Sequence, residues 1–463
     1  MNEVELRVPL GLGETLQDTV YREGSHEYVA FGLVSHAYLG GRDTLLLRRV
    51  LPLAEAAYRN DPQHGAAWSG IAIVPVIEEA MGEGLGIVIF HAHSHRGPPS
   101  LSGDDRASAD RLLPMFQQRV PTRPHGSVVL SRTHASGIIL MPGETQPRTG
   151  VAVRWYGAAI TNWPSSDQKI TGPEDPIFQR QALVVGGPGQ KILRCARVAV
   201  VGLGGGGSHV VQQLAHLGIG EIIVIDPDRV ESTNRHRLVG LTRLDVWLKR
   251  RKVDVMYRLV RRVGTDSQCR RIPVKVPEPV AVDALKEADV IVGCLDNLHS
   301  RLDLQDVAWR FLIPYVDIGV SIRPVEDARE SDPRVSIGGN VITLIPGGFC
   351  LWCCGFLSDE KLALELNGPN RSYFQNRTGE AQVVSLNGIV ASQAVNEVIQ
   401  LLTGFAGTGI RYAGLATDLN GTDQRGFKKF NGTNGTLQEW GASRRSTCAH
   451  CTATLARGAI VWS

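Results

Sequence analysis

The chain has 463 residues, of which 43% are hydrophobic and 21% are charged, and its formal net charge is +3. This length is long for a single hydrophobic core, so two domains are expected. The small net charge gives no reason to expect a nucleic acid or a membrane as partner, and no apolar run approaches the roughly 18 residues of a transmembrane helix. Because no signal peptide is apparent at the N-terminus, the cytoplasm is the expected location, and the cysteines are not expected to form disulfides.

The first part of the chain, residues 1–156, predicts an α/β domain. "GIVIF" has the length and composition of a buried strand, and "SVVLS" and "GIILMPG" predict two later strands. "DDRASADRLLPMFQQ" carries acids followed by leucines at helical spacing, so a helix is expected to begin near Asp105. The following residues, 157–176, are rich in Pro, Ser, Gly and Asp and are interpreted as a linker between domains.

Strands and helices alternate regularly in the third segment, residues 177–463. "ARVAVVG", "EIIVID" and "DVIVGCLD" predict strands, while "SHVVQQLAHLG" and "VDVMYRLVRRV" predict the helices between them. Alternation of this kind is typical of βαβ units around a parallel sheet. The segment therefore predicts a Rossmann-type α/β domain.

A glycine cluster follows the first of these strands, in "GLGGGGSHVV". Glycines allow the backbone to turn tightly and approach phosphate groups, and the helix that follows presents free N–H groups to an anion. The residues that fit this task are Gly202, Gly204, Gly205 and Gly207. The cluster predicts a nucleotide site but does not by itself distinguish NAD from ATP.

Polar residues beyond the glycines favour ATP. Asp226 ends the second strand, where an acidic residue can hold ribose hydroxyls. The residues that follow supply cations for a triphosphate and a carboxylate for Mg²⁺, which nucleotidyl transfer needs and hydride transfer does not. They are Asp228, Asn234, Arg237, Lys252 and Asp296. An NAD-dependent dehydrogenase would leave them unexplained.

The order of these residues resembles the ThiF/MoeB/E1 superfamily of enzymes that activate ubiquitin-like proteins. The resemblance extends over residues 177–451 and follows the family pattern G-x-G-G-x-G, D-x-D-x-V, N-x-x-R, a lysine and a D-N pair. The family's R-Q entry segment is similar to "RQALVVGGPGQKIL", which contains Arg180, Gln181 and Gln190.

The resemblance implies that the C-terminal carboxylate of a small β-grasp, ubiquitin-like protein attacks ATP, giving an acyl-adenylate and pyrophosphate. It implies ribose binding by Asp226 and Mg²⁺ binding by Asp296. Arg180 would reach the ATP of a neighbouring subunit, so a homodimer is expected, and an E2-like protein is a further candidate partner. The residues implied to neutralise the phosphates are Asn234, Arg237 and Lys252.

Two C-x-x-C pairs about a hundred residues apart predict a tetrahedral Zn²⁺ site. They are Cys350 with Cys353 and Cys448 with Cys451. In the family that the sequence resembles, such a site is structural. Residues 358–384, which follow the first pair, contain no cysteine, and this argues against the thioester step of many E1 enzymes. Cys354, beside the first pair, is interpreted as a packing residue.

Three histidines occur in "HAHSHRGPPSLSGDD", directly after a predicted buried strand. Histidines two residues apart on an extended chain point to the same side and can share one metal ion. A carboxylate about ten residues later can complete a three-ligand site that leaves a position open for water, which is the arrangement of catalytic zinc.

This stretch resembles the JAMM motif of JAB/MPN metalloproteases, whose domain has a cytidine-deaminase-like α/β fold. The motif is H-x-H, seven residues, then S-x-x-D, with a glutamate upstream. Ser102 and Asp105 match S-x-x-D, and Glu27 in "HEYVAFGL" matches the general base. The resemblance implies that Ser102 stabilises the oxyanion and that Asp105 is a zinc ligand, with Asp104 as the fallback.

The histidine spacing departs from the motif. His91 and His93 leave eight residues before the serine, and His93 and His95 leave six. Strand continuity slightly favours the first pair, but both stay open.

The sequence thus predicts a JAB/MPN-like metalloprotease domain followed by a ThiF/E1-like adenylation domain that both act on one ubiquitin-like protein. The expected cofactors are ATP, Mg²⁺ and Zn²⁺. Two alternatives stay open. The adenylation can serve a sulfur-carrier protein that receives a thiocarboxylate, or the N-terminal domain can be a scaffold without metal or activity.

Overall fold

The computed structural model describes residues 4–24, 27–59, 67–157, 159–164, 175–324, 335–367, 382–406, 427–431, 436–440 and 444–451. These residues form two compact units. The first contains the described residues up to 164 together with Arg310–Leu312, and the second contains the remaining described residues from 175 to 451. Most of the predicted linker, namely residues 158 and 165–174, lies outside the described residues, and the predicted domain boundaries stay predictions.

The first unit is built on a nine-stranded mixed sheet in the order β7-β6-β5-β4-β2-β3-β1-β8-β9. Three helices accompany it, α1 (Leu12–Val20), α2 (Val74–Glu83) and α3 (Gly103–Arg119). The strands are β1 (Val4–Val8), β2 (Ala30–Leu39), β3 (Arg42–Pro52), β4 (Gly86–Ala92), β5 (His125–Leu130), β6 (Ala135–Leu140), β7 (Arg148–Thr149), β8 (Val151–Tyr156) and β9 (Ile160–Trp163).

Both faces of this sheet are covered. Leu16 and Val20 of α1 belong to one buried apolar cluster, and Val76 of α2 and Leu113 of α3 belong to another. Successive strand residues alternate between the clusters, as Ile87 and Val88 of β4 do, because side chains of a strand point to opposite faces. The unit is therefore a sheet layered between helices.

The second unit contains an eight-stranded sheet in the order β12-β11-β10-β13-β14-β15-β16-β17. The first five strands are parallel and the last three are antiparallel additions. The strands are β10 (Arg197–Val201), β11 (Glu221–Ile225), β12 (Gln268–Ile272), β13 (Val290–Gly293), β14 (Tyr315–Pro324), β15 (Val335–Leu344), β16 (Phe427–Asn431) and β17 (Thr436–Trp440).

The parallel part has the 3-2-1-4-5 strand order of a Rossmann-type fold, as the sequence predicts. In such a sheet the strand order reverses between the first and the fourth strand, here β10 and β13, and a crevice for ligands opens at their carboxyl ends. The helices are α4 (Gln179–Cys195), α5 (Gly205–His216), α6 (Arg243–Trp247), α7 (Lys252–Val263), α8 (Pro279–Leu285), α9 (Leu298–Arg310), α10 (Asp359–Asn367) and α11 (Val384–Thr403).

The strands and helices predicted from the sequence agree in type with the structure, while boundaries differ by a few residues. Within the predicted linker, Ile160–Trp163 form strand β9. Helix α3 begins at Gly103, because the Ser102 side chain and Asp105 form a capping box at its start. Among the described residues, no helix combines the length and the apolar character needed to cross a membrane.

Candidate functional site

The turn after β10 needs glycine for steric reasons at two positions. Gly202 has a φ of +86°, and a Cβ there would lie 2.5 Å from the carbonyl oxygen of Cys294. A Cβ on Gly207 would lie 1.9 Å from the carbonyl oxygen of Gly202, so only glycine lets α5 pack this closely on β10. A Cβ on Gly204, by contrast, would meet no heavy atom within 4 Å. Space therefore remains at Gly204 for a ligand to approach the backbone.

A cavity of about 470 Å³ opens at the carboxyl ends of β10 and β13. The N-terminus of α5 faces it, and the free N–H groups of a helix N-terminus attract anions such as phosphate. Its lining includes every predicted nucleotide-site residue except Gly207, which lies behind the turn. The predicted residues in the lining are Gly202, Gly204, Gly205, Asp226, Asp228, Asn234, Arg237, Lys252 and Asp296.

Asp226 is a buried carboxylate whose position is fixed by the backbone. Its two oxygens accept hydrogen bonds from the N–H groups of Leu203 (2.7 Å) and Asp228 (2.8 Å). The Lys252 Nζ lies 3.5 Å from an Asp226 oxygen and 2.7 Å from an oxygen of Asp228. Burial raises the pKa of the Asp226 carboxyl, although Lys252 opposes this effect.

Lys252 is held between these two carboxylates as a cation. Burial alone would lower the pKa of its amine, but the charges of Asp226 and Asp228 outweigh burial and raise the pKa. The amine is therefore protonated at neutral pH, at a position on the cavity wall where a phosphate can meet it.

Asn234 ends the short 3₁₀ helix that follows β11, and Arg237 lies on the turn directly after it. The Asn234 side-chain oxygen accepts a hydrogen bond from the Glu231 N–H at 3.1 Å, and the Arg237 guanidinium donates to the Thr233 carbonyl at 3.0 Å. Each side chain thus stabilises the turn while it lines the cavity. The turn presents an amide and a cation to the same space as Lys252.

Asp296 lies on the turn between β13 and α9, with its side chain exposed. Its carboxylate accepts a hydrogen bond from the Asn297 amide at 3.2 Å, and the Asn297 oxygen accepts one from the Ser300 N–H at 2.8 Å. Within the described part of the chain Asp296 is in no ion pair, so its carboxylate is available to a cation in the cavity.

Arg180 lies outside the cavity lining. Its neighbours in the entry segment have a structural role, since Gln181 and Gln190 both donate to the carbonyl of Leu217, at 3.0 Å and 3.3 Å. Leu217 is the C-cap residue of α5, so the two hydrogen bonds fix α4 to the helix that begins at the glycine turn. Arg180 itself is exposed, and within one chain the structure does not bring it to the nucleotide residues.

The four predicted zinc-ligand cysteines meet in one buried cluster. The Cys350 sulfur lies 3.6 Å from that of Cys353 and 3.7 Å from that of Cys448, and the Cys353 and Cys451 sulfurs are 3.8 Å apart. Four ligands at the usual Zn–S bond length of about 2.3 Å in a tetrahedron would be about 3.8 Å from one another. The cluster could therefore hold a zinc ion.

The model of the ThiF family matches residues 178–449 of the sequence. The chain belongs to the ThiF family. This match covers the glycine turn, the cavity and all but one of the four clustered cysteines. Of the described residues of the first unit, it includes Arg310–Leu312 alone.

Two curated proteins illustrate the range of relatives of this ThiF-family chain. It is 31% identical over 169 residues to the SAMP-activating enzyme E1 of Haloferax volcanii, which covers 36% of this chain and 57% of that protein. It is 34% identical over 133 residues to the sulfur carrier protein adenylyltransferase of Thermus thermophilus, which covers 28% of this chain and 48% of that protein. The chain spans about half the length of these curated relatives.

Among solved structures, the chain is similar to the crystal structure of E. coli MccB with MccA-N7isoASN. The two share 20% sequence identity with a TM-score of 0.47, over 60% of this chain and 75% of that one.

The first unit of this ThiF-family chain contains a second group of metal-ligand side chains. Ligand atoms of Glu27, His91 and His93 all lie within 4.8 Å of one another. The pairing of β2 with β4 explains the grouping. The two strands are antiparallel and Ala30 lies opposite Phe90, so the residues just before Ala30 and those just after Phe90 lie at the same end of the pair. His91 is 5% exposed and its Nε2 forms no hydrogen bond.

Asp105 lies at the edge of this group and His95 lies outside it. An Asp105 oxygen is 3.4 Å from the His91 Nε2 and accepts hydrogen bonds from the hydroxyl and the N–H of Ser102, at 2.7 Å and 2.8 Å. Burial would raise the pKa of the Asp105 carboxyl, but His91 and Ser102 outweigh it and hold the pKa well below its usual range. His95 is exposed, with its Nδ1 3.2 Å from the Arg96 carbonyl oxygen.

Sequence reasoning missed several residues of the cavity wall. Asn387 of α11 lines the cavity, and a Cβ on Gly205 would lie 2.2 Å from its amide nitrogen. No local motif indicates such residues, because long connections separate them from the glycine turn. Further lining residues of this kind are Lys275, Ser321, Asn340 and Gln382.

Two glycine substitutions separate packing from ligand binding. We expect Gly207→Ala to destabilise the protein with or without nucleotide, because its Cβ would overlap the Gly202 carbonyl. Gly204→Ala should leave the melting temperature within a few degrees of wild type and weaken ATP binding by about tenfold or more, since its Cβ enters the space that a phosphate would occupy. Thermal unfolding and titration with a fluorescent ATP analogue measure the two effects. Unchanged ATP affinity in Gly204→Ala would contradict phosphate binding at this turn.

Proposed function

We propose that the second unit adenylates the C-terminal carboxylate of a small ubiquitin-like or sulfur-carrier protein with ATP. The observation that supports this most directly is the single cavity in which a glycine turn, a helix N-terminus, cations and an exposed carboxylate converge. The names of the Haloferax and Thermus relatives agree with this class of reaction.

The reaction joins a carboxylate oxygen of the partner to the α-phosphorus of ATP. The bond between the α- and β-phosphates breaks, and pyrophosphate leaves with the electron pair. Lys252, Arg237 and Asn234 are proposed to stabilise the charge that develops on this leaving group, because cations and donors placed at developing charge lower the barrier most effectively. Asp226 would hold the ribose.

Asp296 is proposed to hold Mg²⁺. When bound, the ion would offset the negative charge of the phosphates. The exposed carboxylate fits this role, since the described residues leave it without an ion pair and hold it through Asn297.

The cysteines favour transfer of the acyl group from its adenylate to a nucleophile outside this chain, with AMP as the leaving group. Four of the eight cysteines form the buried cluster, and the remaining thiols offer no activated nucleophile at the cavity. Burial raises the pKa of the Cys294 thiol well above its usual range and that of the Cys354 thiol to about 12. Cys269 lies within β12, where burial likewise raises its pKa to about 12.

Cys195 is exposed but precedes β10, at the end of the strand opposite the glycine turn. With no suitable thiol, the acyl group is expected to leave as the adenylate. A sulfur donor that produces a thiocarboxylate fits this ending, as does the thiol of a separate E2-like protein. We propose thiocarboxylate formation by a sulfur donor as the main alternative to attachment of the partner to another protein.

For the four clustered cysteines we propose a structural zinc. The sulfur separations of 3.6–3.8 Å fit a tetrahedral site, and the cluster joins a turn after β15 to the C-terminal described segment. The zinc would link parts of the chain that are about a hundred residues apart.

For the first unit we propose a JAB/MPN-like zinc protease that acts on the same partner's C-terminus. His91 and His93 would be ligands, because the Nε2 of His91 is buried and has no hydrogen bond, with an Asp105 oxygen 3.4 Å away. When bound, zinc would activate a water molecule for attack on the scissile carbonyl. Glu27 would take the proton of that water, and Ser102 would donate to the oxyanion once its hydrogen bond to Asp105 is released.

We further propose a homodimer in which Arg180 reaches the neighbouring cavity. Apolar side chains are exposed on α4 and α6 of the second unit, where Leu183 is 85% and Trp247 is 77% exposed. Exposed apolar patches rimmed by polar residues are typical of protein interfaces. Leu244, three residues before the tryptophan, and Leu248, directly after it, are exposed as well.

ATP–pyrophosphate exchange in the presence of a candidate β-grasp partner tests the adenylation. We expect exchange that depends on both Mg²⁺ and the partner, and a loss of about 10²- to 10³-fold in Asp296→Ala and in Lys252→Ala. Asp283→Ala is a matched control, because this carboxylate pairs with Lys286 on α8 and its side chain is 71% exposed. Persistence of exchange in Asp296→Ala would contradict the proposed site.

Metal analysis tests the two zinc sites separately. Wild type should bind about two zinc ions per chain, and His93→Ala and Cys350→Ser should each lose one. His95→Ala should keep both if His91 and His93 are the ligand pair. Loss of zinc in Asp105→Asn but not in Glu27→Gln would identify Asp105 as the third ligand, and the reverse would identify Glu27. Equal zinc content in wild type and His93→Ala would contradict the zinc protease and support the alternative that the first unit is a scaffold without metal.

Light scattering and mixing of variants test the dimer. Trp247→Asp should yield monomers, while Ile71→Asp, at an equally exposed apolar residue of the first unit, should not change the mass. Mixing inactive Arg180→Ala with inactive Lys252→Ala should restore exchange to about a quarter of wild type, since half of the re-formed dimers would contain one intact site. Failure of the mixture to regain activity would contradict a contribution of Arg180 across the dimer.

A further inference from the structure

The turn that carries Asp296 is held on both sides by buried charged groups that the sequence motifs do not contain. Arg301 contacts the turn before Asp296, and Glu365 contacts it after Asn297. The side chain of Arg301 is 2% exposed and that of Glu365 is 4% exposed. Burying two charges is costly unless each is fully paired, so their positions call for an explanation.

Arg301, which also lines the cavity, holds the first half of the turn through its guanidinium. Its guanidinium donates to the carbonyl of Leu295, the residue before Asp296, and to the carbonyl of Ile318 on β14 at 3.1 Å. It also forms a buried ion pair with Asp317, whose second oxygen accepts a hydrogen bond from the Tyr315 hydroxyl. A single planar group therefore joins the turn to the neighbouring strand, which the fork of arginine can do and the point charge of lysine cannot.

Glu365 holds the second half of the turn from α10. One carboxylate oxygen accepts from the Leu298 N–H at 2.8 Å, and the other accepts from the His299 N–H at 3.0 Å and from the His299 Nδ1 at 2.6 Å. These are the first N–H groups of α9, where a carboxylate is favoured by the helix dipole and satisfies donors that have no partner inside the helix. The cap comes from a helix more than 60 residues later in the chain.

We infer that Glu365 and Arg301 are positioning residues that fix the Asp296 carboxylate in the cavity for the adenylation reaction. The inference rests on the proposed function, because it assigns to Asp296 the binding of Mg²⁺. Asp296 is exposed and has no ion pair of its own within the described residues, so its direction depends on the turn. With the Leu295 carbonyl and the Leu298 and His299 N–H groups held, the residue between them has little freedom.

The test compares Glu365→Gln with a matched control, Glu397→Gln. Glu397 is also a buried carboxylate with three donors, namely Lys428 at 2.6 Å, Thr343 at 3.2 Å and Gln393 at 3.3 Å, but it does not touch the Asp296 turn. Exchange is measured across a range of Mg²⁺ concentrations. In Glu365→Gln we expect kcat to fall about tenfold and the Mg²⁺ concentration for half-maximal exchange to rise several-fold, since displacement of a catalytic group by about 1 Å has effects of this size or larger.

Glu397→Gln should keep the Mg²⁺ dependence of wild type, even if its melting temperature falls by as much as that of Glu365→Gln. Glu365→Asp should recover part of the activity if the charge is what matters, and Arg301→Lys should shift the Mg²⁺ dependence in the same direction as Glu365→Gln. A wild-type Mg²⁺ profile in Glu365→Gln, or an equal shift in Glu397→Gln, would overturn the positioning role.

Binding of Mn²⁺ in the presence of a non-hydrolysable ATP analogue, followed by electron paramagnetic resonance, makes the same comparison without a protein partner. Absence of exchange in wild type with intact Mn²⁺ binding would contradict the proposed reaction alone. Equal Mn²⁺ affinity in wild type and Glu365→Gln would contradict the positioning role alone.

Discussion

The close packing of α5 on β10 is the constraint on which the nucleotide-binding unit depends. The carbonyl oxygen of Gly202 occupies the space where any side chain at residue 207 would lie, so the helix starts directly at the end of the strand. The first N–H groups of the helix therefore face the cavity. The same turn brings Gly202 against the carbonyl of Cys294, which places the end of β13 and the Asp296 turn beside the glycines. A side chain at either glycine would separate the three elements that form the cavity.

Lys252 is paired with two carboxylates of the cavity before any nucleotide is present. Lys252 contacts Asp226 and Asp228, and Asp226 is itself held by two backbone N–H groups. Because Asp228 is exposed and Asp226 is buried, Asp228 is the partner that can release Lys252 to a phosphate. A site arranged in this way keeps its lysine protonated and in position, so little reorganisation is needed when a triphosphate arrives. The two carboxylates keep the partly buried Lys252 charged and hold its amine in place, which an exposed lysine without partners would lack.

Sequence motifs predict the parts of the site that are local along the chain. Residues just after a parallel strand meet at one edge of the sheet, which is why the glycines, Asp226 and Asp296 line one cavity. Contacts between distant elements escape this reasoning, because only packing brings Glu365 of α10 to the start of α9. The histidine loop is intermediate, since its spacing left two ligand pairs open. The antiparallel register of β2 and β4 is what groups Glu27 with His91 and His93.

The two proposed reactions share one chemical group, the carboxylate at the partner's C-terminus. Hydrolysis of a peptide or isopeptide bond by the first unit would release this carboxylate, and adenylation by the second unit would consume it. The first reaction needs a water molecule and the second must exclude water from the adenylate, so each requires its own cavity. Since no thiol of this chain is activated near the nucleotide cavity, the acyl group would not be stored on the enzyme. Its fate then depends on which external nucleophile reaches the adenylate before water does, and this places the control of the product in the partner proteins.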